Sequence, residues 1–324
     1  MRLLVTGGLG FIGANFVRSV LDDAEVTVVD ALKYGSNESN LKGLDYCLVK
    51  GDICDYALMA QLVKDTDAIV NFAAETHVDR SIASPLSFVE SNVIGVFTIL
   101  EAMRKVNPET RLIHVGTDEV YGDIETGSFS ETDTLTPSSP YSASKAAADM
   151  FVLAYARTYG LDTVITRCTN NYGPYQFPEK LVPKSIIRAA MNLKLPIYGA
   201  GENVRDWIFV TDHGAAIRFV LEKGERGEIY NIAGGEERTN FEVVTEILSL
   251  LDKPNLIEFV EDRPGHDLRY SLDSSKLQKL GWRPRHNFKA GLRETVAWYV
   301  ENEWWWAPLI DDRVLHPTPW KLEW

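Results

Sequence analysis

A glycine-dense turn near the N-terminus constrains the fold of this chain more than any other feature. The apolar run from Leu3 to Val5 predicts a strand, and the segment from Phe11 to Leu21 has the apolar spacing of a helix. Between them stand Gly7, Gly10 and Gly13. Residues without Cβ atoms allow a tight turn and let a pyrophosphate approach the backbone at a helix N-terminus. Strand, glycine turn and helix in this order predict a dinucleotide-binding α/β fold.

Three further apolar runs predict strands of the same sheet, at 26–29, 68–72 and 111–115. Nearly continuous apolar strands that alternate with helices indicate a parallel sheet covered on both faces, which is a Rossmann-type doubly wound sheet. Asp30 follows the second strand, where a carboxylate accepts hydrogen bonds from the hydroxyls of an adenosine ribose. An acid there repels a 2′-phosphate, so the sequence predicts NAD rather than NADP, a preference that Lys33 weakens only slightly.

The sequence pattern changes after Arg167, where prolines become frequent and the alternation of strands and helices is less regular. We therefore predict an NAD-binding domain at 1–168 and a smaller, mainly substrate-binding lobe at 169–324. Segments near 206–232 again read as strand, helix and strand. They are expected to return to the first sheet, so the C-terminal lobe is interleaved with the first domain.

Composition limits the partners of the chain. A formal net charge of −13 disfavours nucleic acid, because binding to a phosphate backbone needs clustered Lys and Arg. An odd number of cysteines without metal-ligand spacing, Cys47, Cys54 and Cys168, predicts a reducing cytoplasmic location and no metal site. No run approaches the length of about 18 apolar residues that a membrane span needs, so we expect no membrane partner.

Tyr141 and Lys145 stand four residues apart in a segment of strong helix formers. This spacing places both side chains on one face of a helix. A phenol is a poor base at neutral pH, but a neighbouring ammonium group and a nicotinamide cation lower the pKa of Tyr141 and favour the phenolate. Tyr141 is therefore the candidate base for oxidation of a sugar hydroxyl.

Two adjacent acids follow the strand at 111–115, in the triplet Thr117, Asp118 and Glu119. They stand at the carboxyl end of a strand, where ligands bind in sheets of this kind. Paired carboxyl groups in a closed site do not both ionise easily, so one keeps its proton as an acid while the other acts as a base. This division of roles is what the elimination of water requires.

Six motifs together carry a resemblance that runs to about Trp306. The motifs lie at 6–13, 72–81, 117–122, 141–145, 170–175 and 262–267. With them the chain resembles the extended short-chain dehydrogenase/reductases, and within that superfamily the nucleotide-sugar 4,6-dehydratases. The first and fourth motifs mark only the superfamily, whereas the Thr-Asp-Glu triplet is specific, because the related 4-epimerases lack the acidic pair.

The resemblance implies a role for each site residue. Tyr141 is the base for oxidation at C4, Lys145 tunes it and holds the nicotinamide ribose, and Thr117 binds the 4-hydroxyl. Glu119 removes the C5 proton and Asp118 protonates the departing C6 hydroxyl. Together with the glycine turn, it implies NAD contacts from Gly7, Gly10, Phe11, Ile12, Gly13, Asp30, Lys33, Asp52, Ile53, Ala73, Ala74, Thr76, Ser91, Tyr141, Lys145 and Asn171. The implied contacts with the nucleotide sugar are His77, Thr117, Asn170, Lys180, Leu181, Pro196, Tyr198, Arg205, Asn240, Arg263 and His266.

Several alternatives stay open on the sequence. A thymidine diphosphate glucose is the favoured substrate, but the uridine and cytidine nucleotides differ from it at few positions. Two other functions are a 4-epimerase and a redox-sensing binding protein. Asp118 and Glu119 would have no role in the first, and Tyr141 and Lys145 would have no role in the second. The apolar surfaces of the predicted helices at 88–106 and 141–159 exceed what one sheet face needs, which predicts a homodimer through a four-helix interface.

Overall fold

The computed structural model describes residues 1–322, so the last two residues of the predicted C-terminal lobe lie outside the described part. Short 3₁₀ turns and one π-helical segment, Val89–Ile94, complete the described structure. The strands are β1 (Arg2–Thr6), β2 (Glu25–Asp30), β3 (Cys47–Lys50), β4 (Ala68–Asn71), β5 (Arg111–Thr117), β6 (Thr163–Cys168), β7 (Asn170–Tyr172), β8 (Leu195–Tyr198), β9 (Val204–Phe209), β10 (Ile229–Ile232), β11 (Glu237–Thr239) and β12 (Ile257–Val260). The α-helices are α1 (Phe11–Val20), α2 (Tyr56–Val63), α3 (Val78–Ala83), α4 (Leu86–Phe88), α5 (Gly95–Val106), α6 (Pro140–Tyr159), α7 (Leu181–Ala190), α8 (Val210–Lys223), α9 (Asn240–Leu250), α10 (Ser275–Leu280), α11 (Phe288–Glu301) and α12 (Glu303–Trp306).

The large sheet has seven parallel strands in the order β10-β6-β5-β4-β1-β2-β3. Helices α1 and α8 pack on one face, and α2, α5 and α6 pack on the other. This arrangement confirms the predicted Rossmann-type doubly wound sheet. The strand order reverses between β1 and β4, and such a switch point is where sheets of this kind bind their ligands.

The first strand shows why apolar residues run without interruption in this sheet. Leu3 and Val5 are buried in the core on one face, and Leu4 is buried in the core on the other. Successive side chains of a strand point to opposite faces, so a strand covered on both faces is apolar throughout. The same reason accounts for the apolar runs of β4 and β5.

The smaller lobe contains two short sheets, with the orders β11-β9-β7 and β12-β8. Helices α7, α9 and α11 pack around them. Its core is strongly aromatic and includes the buried side chains Tyr172, Trp207, Phe209, Phe288 and Tyr299. This aromatic core is separate from the two apolar clusters that cover the faces of the large sheet.

Parts of the C-terminal half lie on the large sheet. Strand β10 pairs with β6 at its edge, and α8 packs against α1. Leu277 and Trp282 are buried in the same apolar cluster as the first strand. Strand β9, by contrast, pairs with β7 and β11 in the small lobe. The division of the chain at residue 168 stays a prediction.

The Trp-rich C-terminal segment is packed onto both lobes. Trp305 and Trp306 are buried in the aromatic core of the small lobe, and Trp305 Nε1 donates a 2.8 Å hydrogen bond to Asn40 of the large domain. The ring of Trp320 packs edge-on against Tyr198, with ring centres 4.7 Å apart. The segment therefore contacts both lobes.

Within the described residues, one helical stretch is long and apolar enough to cross a membrane, Leu86–Val106. In its most apolar part, 61% of the residues are buried inside the protein. Core helices of other proteins have the same length and composition, so this stretch is weak evidence for a membrane span. The absence of a membrane partner stays a prediction.

Candidate active site

One cavity of about 300 Å³ lies at the carboxyl ends of the central strands of the large sheet. Its walls include the glycine turn, the ends of β2, β4, β5 and β6, and the start of α6. All residues predicted to contact NAD line this cavity: Gly7, Gly10, Phe11, Ile12, Gly13, Asp30, Lys33, Asp52, Ile53, Ala73, Ala74, Thr76, Ser91, Tyr141, Lys145 and Asn171.

The glycine turn is shaped for close backbone contacts. Gly7 has φ +68°, and a Cβ atom on it would lie 2.6 Å from the backbone nitrogen of Ala73. A Cβ atom on Gly13 would lie 2.4 Å from the carbonyl oxygen of Gly7. Only glycine fits at both positions, and the turn delivers the chain directly into the N-terminus of α1. This cradle fits the pyrophosphate of a dinucleotide.

Two carboxylates mark the far end of the cavity, where the ribose of a dinucleotide is expected. Asp30 accepts hydrogen bonds from the backbone nitrogen atoms of Leu9 and Leu32, at 3.0 and 2.9 Å, which fix its orientation. Lys33 Nζ lies 2.7 Å from Oδ2 of Asp52. Burial raises the pKa of Asp52, but the hydrogen bonds from Lys33 and Cys54 and the charge of Lys33 together outweigh burial, so the pKa is lowered. Lys33 is thus paired with an acid rather than directed at a 2′-phosphate.

Asp118 and Glu119 lie in a short 3₁₀ turn at the end of β5, and both line the cavity. Burial and the neighbouring Glu119 carboxylate raise the pKa of Asp118 well above its usual range. Burial also raises the pKa of Glu119, but the charges of Arg263, Lys180 and Arg205 oppose that change. The two acids therefore differ in environment, and Asp118 is the one that holds a proton more firmly.

Tyr141 and Lys145 lie on the buried face of α6, whose first turn is capped by Ser139 in a capping box. Burial raises the pKa of Tyr141 well above its usual value, and the Glu119 carboxylate raises it further. Lys145 donates its hydrogen bond to the carbonyl oxygen of Val115, at 2.8 Å. For the groups of the chain itself, the direction is opposite to the predicted lowering of the pKa of Tyr141. The predicted lowering included the charge of a nicotinamide cation.

The predicted sugar-nucleotide residues fall into two groups. His77, Thr117, Asn170 and Lys180 line the cavity. The other predicted contacts do not line it and lie in the small lobe: Leu181, Pro196, Tyr198, Arg205, Asn240, Arg263 and His266. The cationic members of the two groups are Lys180, Arg205 and Arg263. All three lower the pKa of Glu119, so they lie around the same end of the cleft.

Asp79 in α3 connects the large domain to this second group. Its Oδ1 accepts a 2.8 Å hydrogen bond from Nη1 of Arg263, and its Oδ2 accepts one of 3.3 Å from the hydroxyl of Tyr198. The ring of Tyr198 also lies near His266, with centres 6.2 Å apart. Asp79 was not among the residues predicted from the sequence, although it lies within the second of the six motifs.

Four further residues at the cavity rim were also missed. Tyr34, Arg80 and Phe177 line the cavity, and the Tyr34 hydroxyl donates a hydrogen bond to Glu179 Oε2. The Arg80 guanidinium lies over the Tyr34 ring, 3.9 Å from its centre. Nothing in the spacing of these residues indicates the contacts, because they come from distant parts of the chain.

The fold and the site define an NAD-dependent nucleotide-sugar enzyme of the extended short-chain dehydrogenase/reductase class. A family model described as GDP-mannose 4,6 dehydratase matches residues 4–295. A dTDP-glucose 4,6-dehydratase from Mycolicibacterium smegmatis is 52% identical over 96% of this chain and 97% of its own length. The structure of the Streptomyces venezuelae dTDP-glucose 4,6-dehydratase DesIV, solved with NAD bound, is 50% identical with a TM-score of 0.94, over 96% of this chain and 100% of that one. The Bacillus anthracis dTDP-glucose 4,6-dehydratase in complex with NAD is 48% identical with a TM-score of 0.90, over the same shares of the two chains. The chain belongs to the dTDP-glucose 4,6-dehydratase family, which confirms the predicted resemblance.

Proposed function

We propose that this protein converts dTDP-glucose into dTDP-4-keto-6-deoxyglucose, with NAD as its resident cofactor. The observation that carries the proposal is the acidic pair Asp118 and Glu119 in the same cavity as Tyr141 and Lys145. Oxidation of a sugar hydroxyl needs only the second pair. Elimination of water needs an acid and a base in addition, and the first pair supplies both.

The residues that would hold NAD are the ones that line the cavity on the side of the glycine turn. The backbone of Gly7 to Gly13 and the N-terminus of α1 fit its pyrophosphate, and Asp30 fits the adenosine ribose. When bound, NAD accepts a hydride from C4 of the sugar, later returns it to C6, and brings a positive charge beside Tyr141. NAD is regenerated in each cycle, so none is consumed.

In the oxidation step, the chain has to remove the proton of the 4-hydroxyl. Tyr141 takes up this proton as the phenolate, and Thr117 holds the hydroxyl by a hydrogen bond. Lys145 lies one helical turn away on the same buried face, where its ammonium group favours the phenolate. The product of this step is a 4-ketone, which makes the neighbouring C5 proton acidic.

In the elimination step, the two carboxyl groups act in opposite directions. Glu119 removes the proton from C5, and Asp118 gives its proton to the departing C6 hydroxyl, so that water leaves and a double bond forms between C5 and C6. After the return of hydride to C6, Glu119 gives a proton back to C5. The more strongly raised pKa of Asp118 suits an acid, and the cations around Glu119 suit a base.

The nucleotide end of the substrate fits the small lobe. Arg205 and Arg263 present guanidinium groups, which bind diphosphates with forked pairs of hydrogen bonds. The charges of both arginines lower the pKa of Glu119, which indicates that both face the cleft. Thymidine is the proposed nucleoside, supported by the names of the relatives.

Incubation with dTDP-glucose and NAD tests the function directly. We expect a 4-keto-6-deoxy product, with slower or no turnover of UDP-glucose and CDP-glucose. A 4-epimerase would instead release dTDP-galactose and no 4-keto-6-deoxy sugar, which would contradict the proposal. A binding protein without chemistry would leave all three nucleotides unchanged.

We also propose that the protein forms a homodimer in the cytoplasm. Phe97 of α5 and Phe151 of α6 are both 38% exposed, with ring centres 6.1 Å apart. Ile94 and Met150 extend this apolar surface, at 48% and 46% exposure. Pairing of two copies through these helices would cover it. Support for the location comes from the cysteines, all three of which are free.

A further inference from the structure

Two loops of the structure meet at the wall of the cavity, and each contributes residues that line it. One loop, residues 31–37, follows β2 and carries cavity-lining residues on the predicted adenosine side. The other, residues 173–180, joins β7 to α7 in the small lobe and ends at Lys180, a predicted substrate contact. The two loops are far apart in sequence, so their contact depends on the folded arrangement of both lobes.

The contact centres on Tyr34 and Glu179. The Tyr34 hydroxyl donates a hydrogen bond to Oε2 of Glu179, and the Tyr34 ring packs against Phe177 with centres 4.8 Å apart. His77 Nε2 lies 3.2 Å from the same oxygen of Glu179, and the Arg80 guanidinium covers the Tyr34 ring. Glu179 of the small lobe thus contacts Tyr34 and His77 of the large domain, and Arg80 packs on the Tyr34 ring.

Charge and burial favour the protonated Tyr34 hydroxyl as the donor of this hydrogen bond and Glu179 as its acceptor. Burial and the adjacent Glu179 carboxylate raise the pKa of Tyr34, so the phenol keeps its proton and donates. Burial raises the pKa of Glu179, while the hydrogen bond from Tyr34 and the charge of Lys180 oppose that change. Glu179 is only 6% exposed, and a hydrogen bond from a phenol to a carboxylate sheltered from water is stronger than one at the surface.

The proposed reaction requires the cofactor to stay bound between its two hydride transfers, and this contact could help to retain it. The hydride taken from C4 has to be stored on the cofactor until it returns to C6, so loss of the cofactor between the two steps would leave an unfinished sugar. We propose that Tyr34 and Glu179 are positioning residues that form a latch at the cavity wall and slow the release of NAD. This inference rests on the proposed function, because it takes NAD as the occupant of the cavity.

Release of labelled NAD after addition of excess unlabelled NAD tests the latch without any turnover. Tyr34→Phe removes only the hydroxyl, and we expect NAD release to become about tenfold faster, as for loss of a hydrogen bond to a charged group. The KM for added NAD should rise with it, whereas kcat at saturating NAD should change far less. Tyr56→Phe is the matched control, because Tyr56 lies on α2, is 41% exposed and does not line the cavity.

A double-mutant cycle separates the latch from a general loss of structure. Glu179→Gln keeps an acceptor for Tyr34 and should release NAD more slowly than Glu179→Ala. Combining Tyr34→Phe with Glu179→Ala should add little to either change, because both remove the same bond. Additive effects would overturn the latch.

The outcomes also distinguish this inference from the proposed function. If the unaltered protein holds NAD and Tyr34→Phe holds it equally well, the latch is wrong and the function stands. A fall in kcat as large as the gain in release rate would show a structural role and would also overturn the latch. If the unaltered protein binds no NAD, both proposals fail together.

Discussion

Thr117 Oγ1 donates a 3.2 Å hydrogen bond to Oδ1 of Asp118, while Oδ2 of the same carboxyl group is buried without a hydrogen-bond partner among residues 1–322. A charged carboxylate with one buried, unpaired oxygen is unfavourable, whereas a protonated carboxyl group needs fewer partners. The backbone nitrogen of Glu119 donates to the same Thr117 hydroxyl at 3.3 Å. One threonine hydroxyl thus contacts the side chain of Asp118 and the backbone of Glu119, and Oδ2 of Asp118 has no hydrogen-bond partner in the described part of the chain.

Replacing the acids should separate oxidation from elimination. Asp118→Asn and Glu119→Gln leave Tyr141 and Lys145 in place, so both variants should still form NADH when mixed with dTDP-glucose. Release of the 4-keto-6-deoxy sugar should fall by roughly 10²–10⁴-fold, the range for loss of a general acid or base. Glu109→Gln, an exposed glutamate beyond α5, is the control and should turn over normally. Normal turnover by both active-site variants would show that the acidic pair is idle.

Replacing Tyr141 should stop the reaction one step earlier. Tyr141→Phe removes the group that takes the proton of the 4-hydroxyl, and Thr117 is not a competent base near neutral pH. We expect calorimetry to show binding of NAD and dTDP-glucose, and absorbance to show no NADH. Tyr159→Phe, at the exposed end of the same helix, should behave as the unaltered protein does. NADH formation by Tyr141→Phe at the normal rate would move the role of base to another residue.

Arg263 should control the acidic limb of the pH profile. Glu119 acts as a base only when deprotonated, so elimination rises with pH through its pKa. Arg263 is the strongest charge that opposes the burial effect on the pKa of Glu119. Arg263→Met should therefore move the acidic limb of kcat to higher pH, and Arg263→Lys should largely restore it. Coincident profiles for all three proteins at saturating substrate would contradict this assignment. The alkaline limb should reflect Asp118, which has to keep its proton and loses it as pH rises.

Asp118 should also lower the stability of the folded protein. Its pKa is raised by folding, so the stability associated with its protonated form is lost as pH rises from the unfolded-state pKa toward the folded-state pKa. Asp118→Asn cannot ionise, and we expect it to gain about 1–3 kcal/mol of unfolding free energy near neutral pH. Denaturant titrations at mildly acidic and mildly alkaline pH should show a gain that grows with pH. A loss of stability, or a gain that shrinks as pH rises, would contradict the burial argument.

The exposed aromatic surface of α5 and α6 should determine the oligomeric state. Phe97→Asp places a charge in the centre of the proposed interface, and we expect light scattering at micromolar concentration to change from dimer to monomer. Phe259→Asp is the control, because Phe259 is 56% exposed on β12, away from α5 and α6. A monomer for the unaltered protein under these conditions would rule out the proposed homodimer.

The sequence predicts the parts of this molecule that depend on local chemistry. The glycine turn, the acid at the end of β2 and the helical pair Tyr141 and Lys145 are each defined within a short segment. Parallel strands bring their carboxyl ends to one edge, so these local features converge in one cavity without further information. The same rule explains why the position of Asp118 was predicted.

Features that depend on contacts between distant segments were not predicted. The hydrogen bond from Tyr34 to Glu179 and that from Arg263 to Asp79 join distant segments whose approach is set by the packing of the two lobes. The effects of burial and of the Glu119 charge, which raise the pKa of Tyr141, were not predicted, because both are properties of the folded site. The spacing of residues in the sequence indicates neither the burial of Tyr141 nor its distance from Glu119.

The position of β10 at the edge of the large sheet has a consequence for how this protein is made. Residues 229–232 have to leave the ribosome before the seventh strand can pair, and Trp282 emerges later still, although its ring belongs to the core around β1. Part of the apolar surface of the N-terminal half therefore stays uncovered during synthesis until these later residues have emerged. A nascent chain that ends before residue 229 therefore exposes the edge of β6 and the apolar surface that Trp282 covers in the folded protein.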